Sequence, residues 1–354
     1  MALFREESVA MILRYLITGG CLIGAVCAFS ASAADGDWSY ISATDGVCAS
    51  VAQIRAPEAD RLDAAHSALP EGCDSEALYY GIGLAADPIK ARQCAYVEMA
   101  HEKDSQLMGY SGSHMLMTIY ANGVGAKQDL PFALHLACVS SFAPAEQAGR
   151  VAHLNAIRQG ESHGTFSFCD DASAGLTGGF CEAHRARIKA AEEENRVNAF
   201  ASRLPASAQK QFRVLRNAQA SWAKARADKE VDLSGTLRAA FVIQEQQLQR
   251  KDFGDMLARL EHPPLPRLGQ TQLETANRRM GDDLALLAGK ANLGGTTIDP
   301  AGIGEAQRAF LAYRKAWGDF AVVAYPHWGR SWVEAWVTMK RADMLDYLLR
   351  LSRQ

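Results

Sequence analysis

Residues 306–320 read AQRAFLAYRKAWGDF. Ala306, Phe310, Tyr313, Trp317 and Phe320 recur at intervals of 4, 3, 4 and 3 residues, which places them in one apolar stripe of an α-helix. Gln307 and Arg314 are seven apart and share a line beside that stripe. Asp299-Pro300 supplies an N-cap and a proline at the first helical position. Tyr325-Pro326 ends the helix, and a last helix is expected over about 331–349. Upstream, Thr271-x-x-Glu274 has the form of a capping box for a preceding helix.

The same phrase occurs earlier. Ala218, Gln219, Trp222 and Arg226 match Ala306, Gln307, Phe310 and Arg314 at an offset of 88. Leu204-Pro205 opens that earlier helix, and Asp232-Leu-Ser234 is expected to cap the next one, over about 235–260. His262-Pro263-Pro264-Leu265-Pro266 cannot continue a helix and reads as the linker between two copies, 183–262 and 263–354. The repeated Gln and Arg have two readings. They either hold neighbouring helices together or bind something. In the first, Glu245 would serve Arg226, and Asp343 or Asp346 would serve Arg314.

Ala306-Gln307-Arg308-Ala309-Phe310-x-x-Tyr313-Arg314, with Thr338-x-x-Arg341-x-x-x-Leu345, resembles the lysozyme-inhibitor LprI-like N-terminal domain family. Its members carry an Ala-Gln-x-x-Trp-x-x-[Phe/Tyr]-Arg helix and a closing Thr-x-x-Arg-x-x-x-Leu helix. Copy two has both, and copy one has only the first. Many members also carry a cysteine after the motif arginine and another in the last helix. Trp317-Gly318 and Glu334-Ala335 stand there in this chain. The resemblance spans about 185–350. It implies a helical, non-catalytic protein and a protein partner in the cell envelope, lysozyme or another cell-wall hydrolase.

The front half has its own repeat. Tyr80-Gly81-x-Gly83 is followed by Asp87, and Tyr120-Ala-Asn-Gly123-x-Gly125 by Asp129. The tyrosines are 40 apart, each after an apolar stretch and before an alanine-rich one. On that alignment the first turn is shorter by two residues. The pattern predicts helical hairpins, with glycines in the turns and aspartates as N-caps. Ala77-Leu-Tyr-Tyr-Gly-x-Gly and Ile119-Tyr-Ala-Asn-Gly-Val-Gly-x-x-x-Asp resemble Sel1-like repeats over about 75–160. That resemblance implies stacked hairpins that hold partners, so an envelope scaffold is the alternative function.

Met11-Ile-Leu-Arg14, the apolar run Tyr15–Phe29 and Ala31-Ser32-Ala33 form a secretory signal over 1–33, with Met11 as a plausible start. Fifteen apolar residues fall short of the about 20 that span a bilayer. The mature chain is therefore expected to be periplasmic or secreted, with no membrane span. Six cysteines then remain: Cys48, Cys73, Cys94, Cys138, Cys169 and Cys181. An even number in an exported chain implies disulfides, and sequential pairing (48–73, 94–138, 169–181) is the expectation among 15 connectivities. A 94–138 bond would staple the two second helices of the hairpins. Cysteines stop at 181, which sets a boundary between a domain over 34–182 and the rest.

The 354 residues are 48% hydrophobic and 22% charged, with formal net charge −3. Such a chain buries a core and has no basic excess for nucleic acid. No Cys-x-x-Cys, His-Glu-x-x-His or Gly-x-Ser-x-Gly pattern is present, so neither metal, cofactor nor catalytic residue is expected. Tyr325-Pro-His327-Trp328-Gly-Arg330-Ser-Trp332 is the candidate binding loop, since aromatics and arginine anchor interfaces. The competing reading puts Trp328 and Trp332 over the end of the core. The whole is expected to be all-α: a short disulfide-supported hairpin solenoid followed by a duplicated helical bundle.

Overall fold

The computed structural model describes residues 44–60, 73–101, 110, 112–140, 142–261, 268–291 and 293–353. The expected signal segment and the 262–266 linker lie outside them. The chain is all-α, and among the described residues there is no strand. The helices are α1 (Asp45–Val51), α2 (Ser75–Tyr80), α3 (Pro88–His101), α4 (Gly112–Asn122), α5 (Leu130–Val139) and α6 (Pro144–Gln159). They continue as α7 (Gly175–Arg203), α8 (Ala206–Lys229), α9 (Arg238–Glu261), α10 (Gln270–Ala288), α11 (Pro300–Ala324) and α12 (Arg330–Leu351).

α2/α3 and α4/α5 are the two expected hairpins, and their turns are built alike. Gly81, Gly83, Gly123 and Gly125 all have positive φ. The Asp87 amide donates to the Leu78 carbonyl, as the Asp129 amide does to Tyr120. Asp87 and Asp129 then cap α3 and α5 by accepting the Lys90 and Phe132 amides. Every one of these equivalent positions is 42 residues apart, so the period is 42 and the turns are equal in length. The tyrosine-based spacing of 40 is corrected accordingly: Tyr120 corresponds to Leu78, because glycine conformation and the cap fix the register rather than the aromatic. The two turns also touch. A Cβ at Gly125 would lie 2.3 Å from the Pro88 carbonyl oxygen, and Arg92 reaches the Gly125 carbonyl at 2.8 Å.

The bonds are Cys48–Cys138, Cys73–Cys94 and Cys169–Cys181, each with Cα atoms 5.5–5.6 Å apart. Only the third pair matches sequential pairing. Cys94 and Cys138 do not staple α3 to α5. Each instead ties its helix to a preceding segment, because their partners Cys73 and Cys48 are folded back against the buried faces of those helices.

α7 is the spine of the molecule. Its N-terminus is capped by a distant carboxylate: Glu146 accepts the Ser173 and Ala174 amides and the Thr177 hydroxyl. Cys181 belongs to the front core with Tyr120, Phe132 and Phe168, whereas Val197 and Phe200 belong to the back core. The boundary expected at 182/183 thus falls inside one unbroken helix.

Behind it stand two three-helix units. In the first, α7 and α9 run parallel, with Gly175 beside Thr236, Glu193 beside Gly254, and Arg203 bonded to Glu261. α8 runs antiparallel to α9, with Trp222 on Gln249 and Arg226 on Glu245. In the second, α10 lies along α12 and α11 runs antiparallel to α12, with Gln307 on Arg341 and Arg314 on Thr338. The repeat therefore begins at α7, one helix before the copied phrase. The Thr271–Glu274 box does not form: Gly269 is the N-cap of α10, and Thr271 already lies inside the helix. Asp232 likewise caps no helix, since α9 starts at Arg238. Its carboxylate accepts instead from the Ser234 hydroxyl and the Thr297 amide across the loops.

Candidate functional site

The repeated phrase meets itself. α8 and α11 pack antiparallel, with Phe212 against Phe320 (centroids 5.5 Å) and Trp222 against Phe310 (5.4 Å, edge to face). The equivalent aromatics Trp222 and Phe310 thus face each other between the two units, with the Phe212–Phe320 contact farther along the same seam. Gln219, Trp222, Arg226, Gln307, Phe310, Thr338 and Arg341 are all buried, and Arg314 is half-buried.

Their polar groups are used internally. Gln219 donates to the Gln249 carbonyl and the Trp222 indole to the Gln249 side chain. Arg226 pairs with Glu245, as the sequence led us to expect, and also with Glu230 at 2.9 Å. Arg341 forks onto Glu230 at 2.7 and 2.5 Å and donates to Gln307 at 2.9 Å. Its guanidinium lies 5.0 Å from the Trp222 ring. Arg314 differs from expectation: it donates to Asn277 at 2.7 Å, while Asp343 and Asp346 serve Arg279. Residues 343 and 346 lie on the outer flank of α12, out of line with Arg314, and are exposed or half-exposed.

In the candidate loop, His327 and Arg330 are exposed and Trp328 is half-buried. Trp328 stacks on Tyr325 (4.4 Å, 6°) and packs on Trp332, itself 7% exposed, so the aromatics close the end of the core. Arg330 is engaged by Asp319 at 2.5 Å and by Glu334 at 3.2 Å.

At the junction of hairpins and spine, His184 Nδ1 lies 2.6 Å from Glu76. Its ring stacks on Tyr110 at 4.0 Å. Arg187 shares Glu76 and reaches Asp74 at 2.5 Å. Burial raises the Tyr110 hydroxyl above its ordinary range. The Tyr110 hydroxyl faces those of Tyr80 (3.1 Å) and Ser167 (3.4 Å). This is a buried joint that fixes the array to α7.

One feature escaped the sequence. An open cleft of about 810 Å³ lies between α7 and α8, floored by Phe253 and bordered by Ile82. Arg187, Arg213, Arg216 and Arg250 line it. Arg216 is held by Glu194 in a two-pronged pair at 2.6 and 2.7 Å. Arg213 and Arg250 are exposed and have no carboxylate partner among the described residues. Glu193 also lines the cleft. It pairs with Arg196, and its Oε2 is buried against Gly254 without a hydrogen bond. Burial raises its carboxyl above the ordinary range. The four arginines come from three helices and are scattered from 187 to 250, with no motif that sequence reading could detect. No family model, curated protein or solved structure matches this chain.

Proposed function

We propose that this is an exported, non-catalytic binding protein of the cell envelope, with lysozyme or a related cell-wall hydrolase as its target. Three disulfides support an oxidising compartment. No helix among the described residues is long and apolar enough to cross a membrane. The observation that carries the reading is the cleft: two arginines without counter-charge on an open, ligand-sized surface, while the buried Arg226 and Arg341 are occupied by carboxylates. Exposed arginines of this kind suit carboxylates on a partner. The test is the rate of cell-wall lysis by lysozyme with and without the mature protein. Slowed lysis that returns to normal in Arg213→Gln/Arg250→Gln supports it, and lysis unchanged by a molar excess of wild type ends it.

A second reading, an envelope scaffold, draws on the hairpin turns. Leu84, Ile89 and Val124 are exposed apolar side chains on or beside two turns that touch through Gly125 and Pro88.

A further inference from the structure

We propose that the cleft between α7 and α8 binds an extended acidic peptide segment of the partner, with one carboxylate on Arg213 and another on Arg250. This rests on the binding-protein reading and adds what is bound and where. The register of the helices fixes the spacing. α7 and α9 run parallel with Glu193 beside Gly254, so Arg250 is level with Lys189. α8 runs antiparallel to α7, with Phe212 on Phe200 (5.3 Å), so Arg213 is level with Ala199. Ten residues of helix lie between those levels, about 15 Å at 1.5 Å per residue. Carboxylates four residues apart on an extended chain span about 13 Å. Flexible arginine side chains cover the difference.

The lining selects the same ligand. Asp74 and Glu76 engage Arg187, Glu194 engages Arg216, and Arg196 engages Glu193. The charges left over are one arginine at each end. Between them Ala190, Ala191, Val197, Ala220 and Phe253 alternate with Asn217, Gln219 and the arginine-paired Glu193 and Glu194. A compact anion reaches one end only, whereas a peptide with small or apolar residues between two acids meets both ends and the floor. In the second unit Arg314 bridges α11 to Asn277 of α10. Its counterpart Arg226 turns to Glu245 and Glu230, and in the first unit it is Arg216 that bridges α8 to Glu194 of α7.

The experiment is fluorescence anisotropy of the full mature chain with a labelled peptide, Ala-Glu-Ala-Leu-Ala-Glu-Ala. Wild type is expected to bind it. Arg213→Gln and Arg250→Gln should each weaken binding about tenfold, and should leave the melting temperature unchanged because both side chains are exposed and unpaired. Replacing either peptide Glu by Gln should have the same effect as losing its arginine. Equal binding by the double variant, equal binding of the Gln peptides, or displacement by equimolar inorganic phosphate or a single-stranded oligonucleotide overturns the proposal. The lysis assay separates the two claims. Peptide binding lost with lysozyme protection intact removes the cleft and leaves the function. Peptide binding kept with no protection does the reverse.

Discussion

Arg341 of α12 and Glu230, at the C-terminal end of α8, form a two-pronged ion pair with both side chains 0% exposed, joining the third helix of one unit to the middle helix of the other. Arg226 adds a second guanidinium to the same carboxylate. Desolvating such a group is costly, and the two guanidiniums, with Gln307 beside Arg341, are what offset it. Glu230→Ala should therefore cost about 3–5 kcal/mol by leaving Arg341 buried and unpaired. A Glu230→Leu/Arg341→Met double variant should recover much of the loss. Denaturant unfolding followed by circular dichroism measures both, and a double variant no more stable than Glu230→Ala refutes the explanation.

Gly125 has φ +87°, and a Cβ there would overlap the Pro88 carbonyl. Gly83 has φ +74° with open space around it. Gly83→Ala should cost about 1 kcal/mol from backbone conformation alone, and Gly125→Ala about 3 kcal/mol because the hairpins must also move apart. Similar losses for both would mean that the turns do not touch.

Asp232 is held down to about 2 by the Ser234 hydroxyl, the Thr297 amide and their neighbours. A carboxyl depressed by folding stabilises the fold above its unfolded value, here near 3.8, and that contribution is lost as pH falls toward 2. The melting-temperature gap between wild type and Asp232→Asn should be constant above about pH 5 and shrink between pH 4 and 2. A gap that widens in acid would contradict the bond to Thr297.

The Cys48–Cys138 bond closes a separation of 90 residues and Cys169–Cys181 one of 12. Chain entropy predicts losses of about 4.5 and about 3 kcal/mol when each pair is replaced by alanine. Non-reducing peptide mapping should recover 48–138, 73–94 and 169–181, and any 94–138 peptide would count against this fold.

Glu193 shows the opposite sign from Asp232. Its carboxyl is raised by burial, so its charge opposes folding at neutral pH, and the penalty disappears once the group is protonated. Glu193→Gln should raise the melting temperature at pH 7, by about 2 °C, and the gain should vanish below pH 4. A loss at pH 7 would show that its pairing with Arg196 outweighs desolvation.

The periodicity of 306–320, the capping aspartates and the turn glycines determined the helices, because each rests on groups within a few residues of one another. They also marked the phrase that packs: Trp222 and Phe310 were legible as equivalents, and Glu245 as a partner for Arg226. The tertiary structure decided what joins distant segments. It paired Cys48 with Cys138, gave Glu230 to Arg341, drew the first unit's boundary back to the start of α7, and gathered Arg187, Arg213, Arg216 and Arg250 around one cleft. Helix formation is local in the chain. Which helix faces meet depends on the register and direction of packing between segments up to about a hundred residues apart, and no short pattern encodes that.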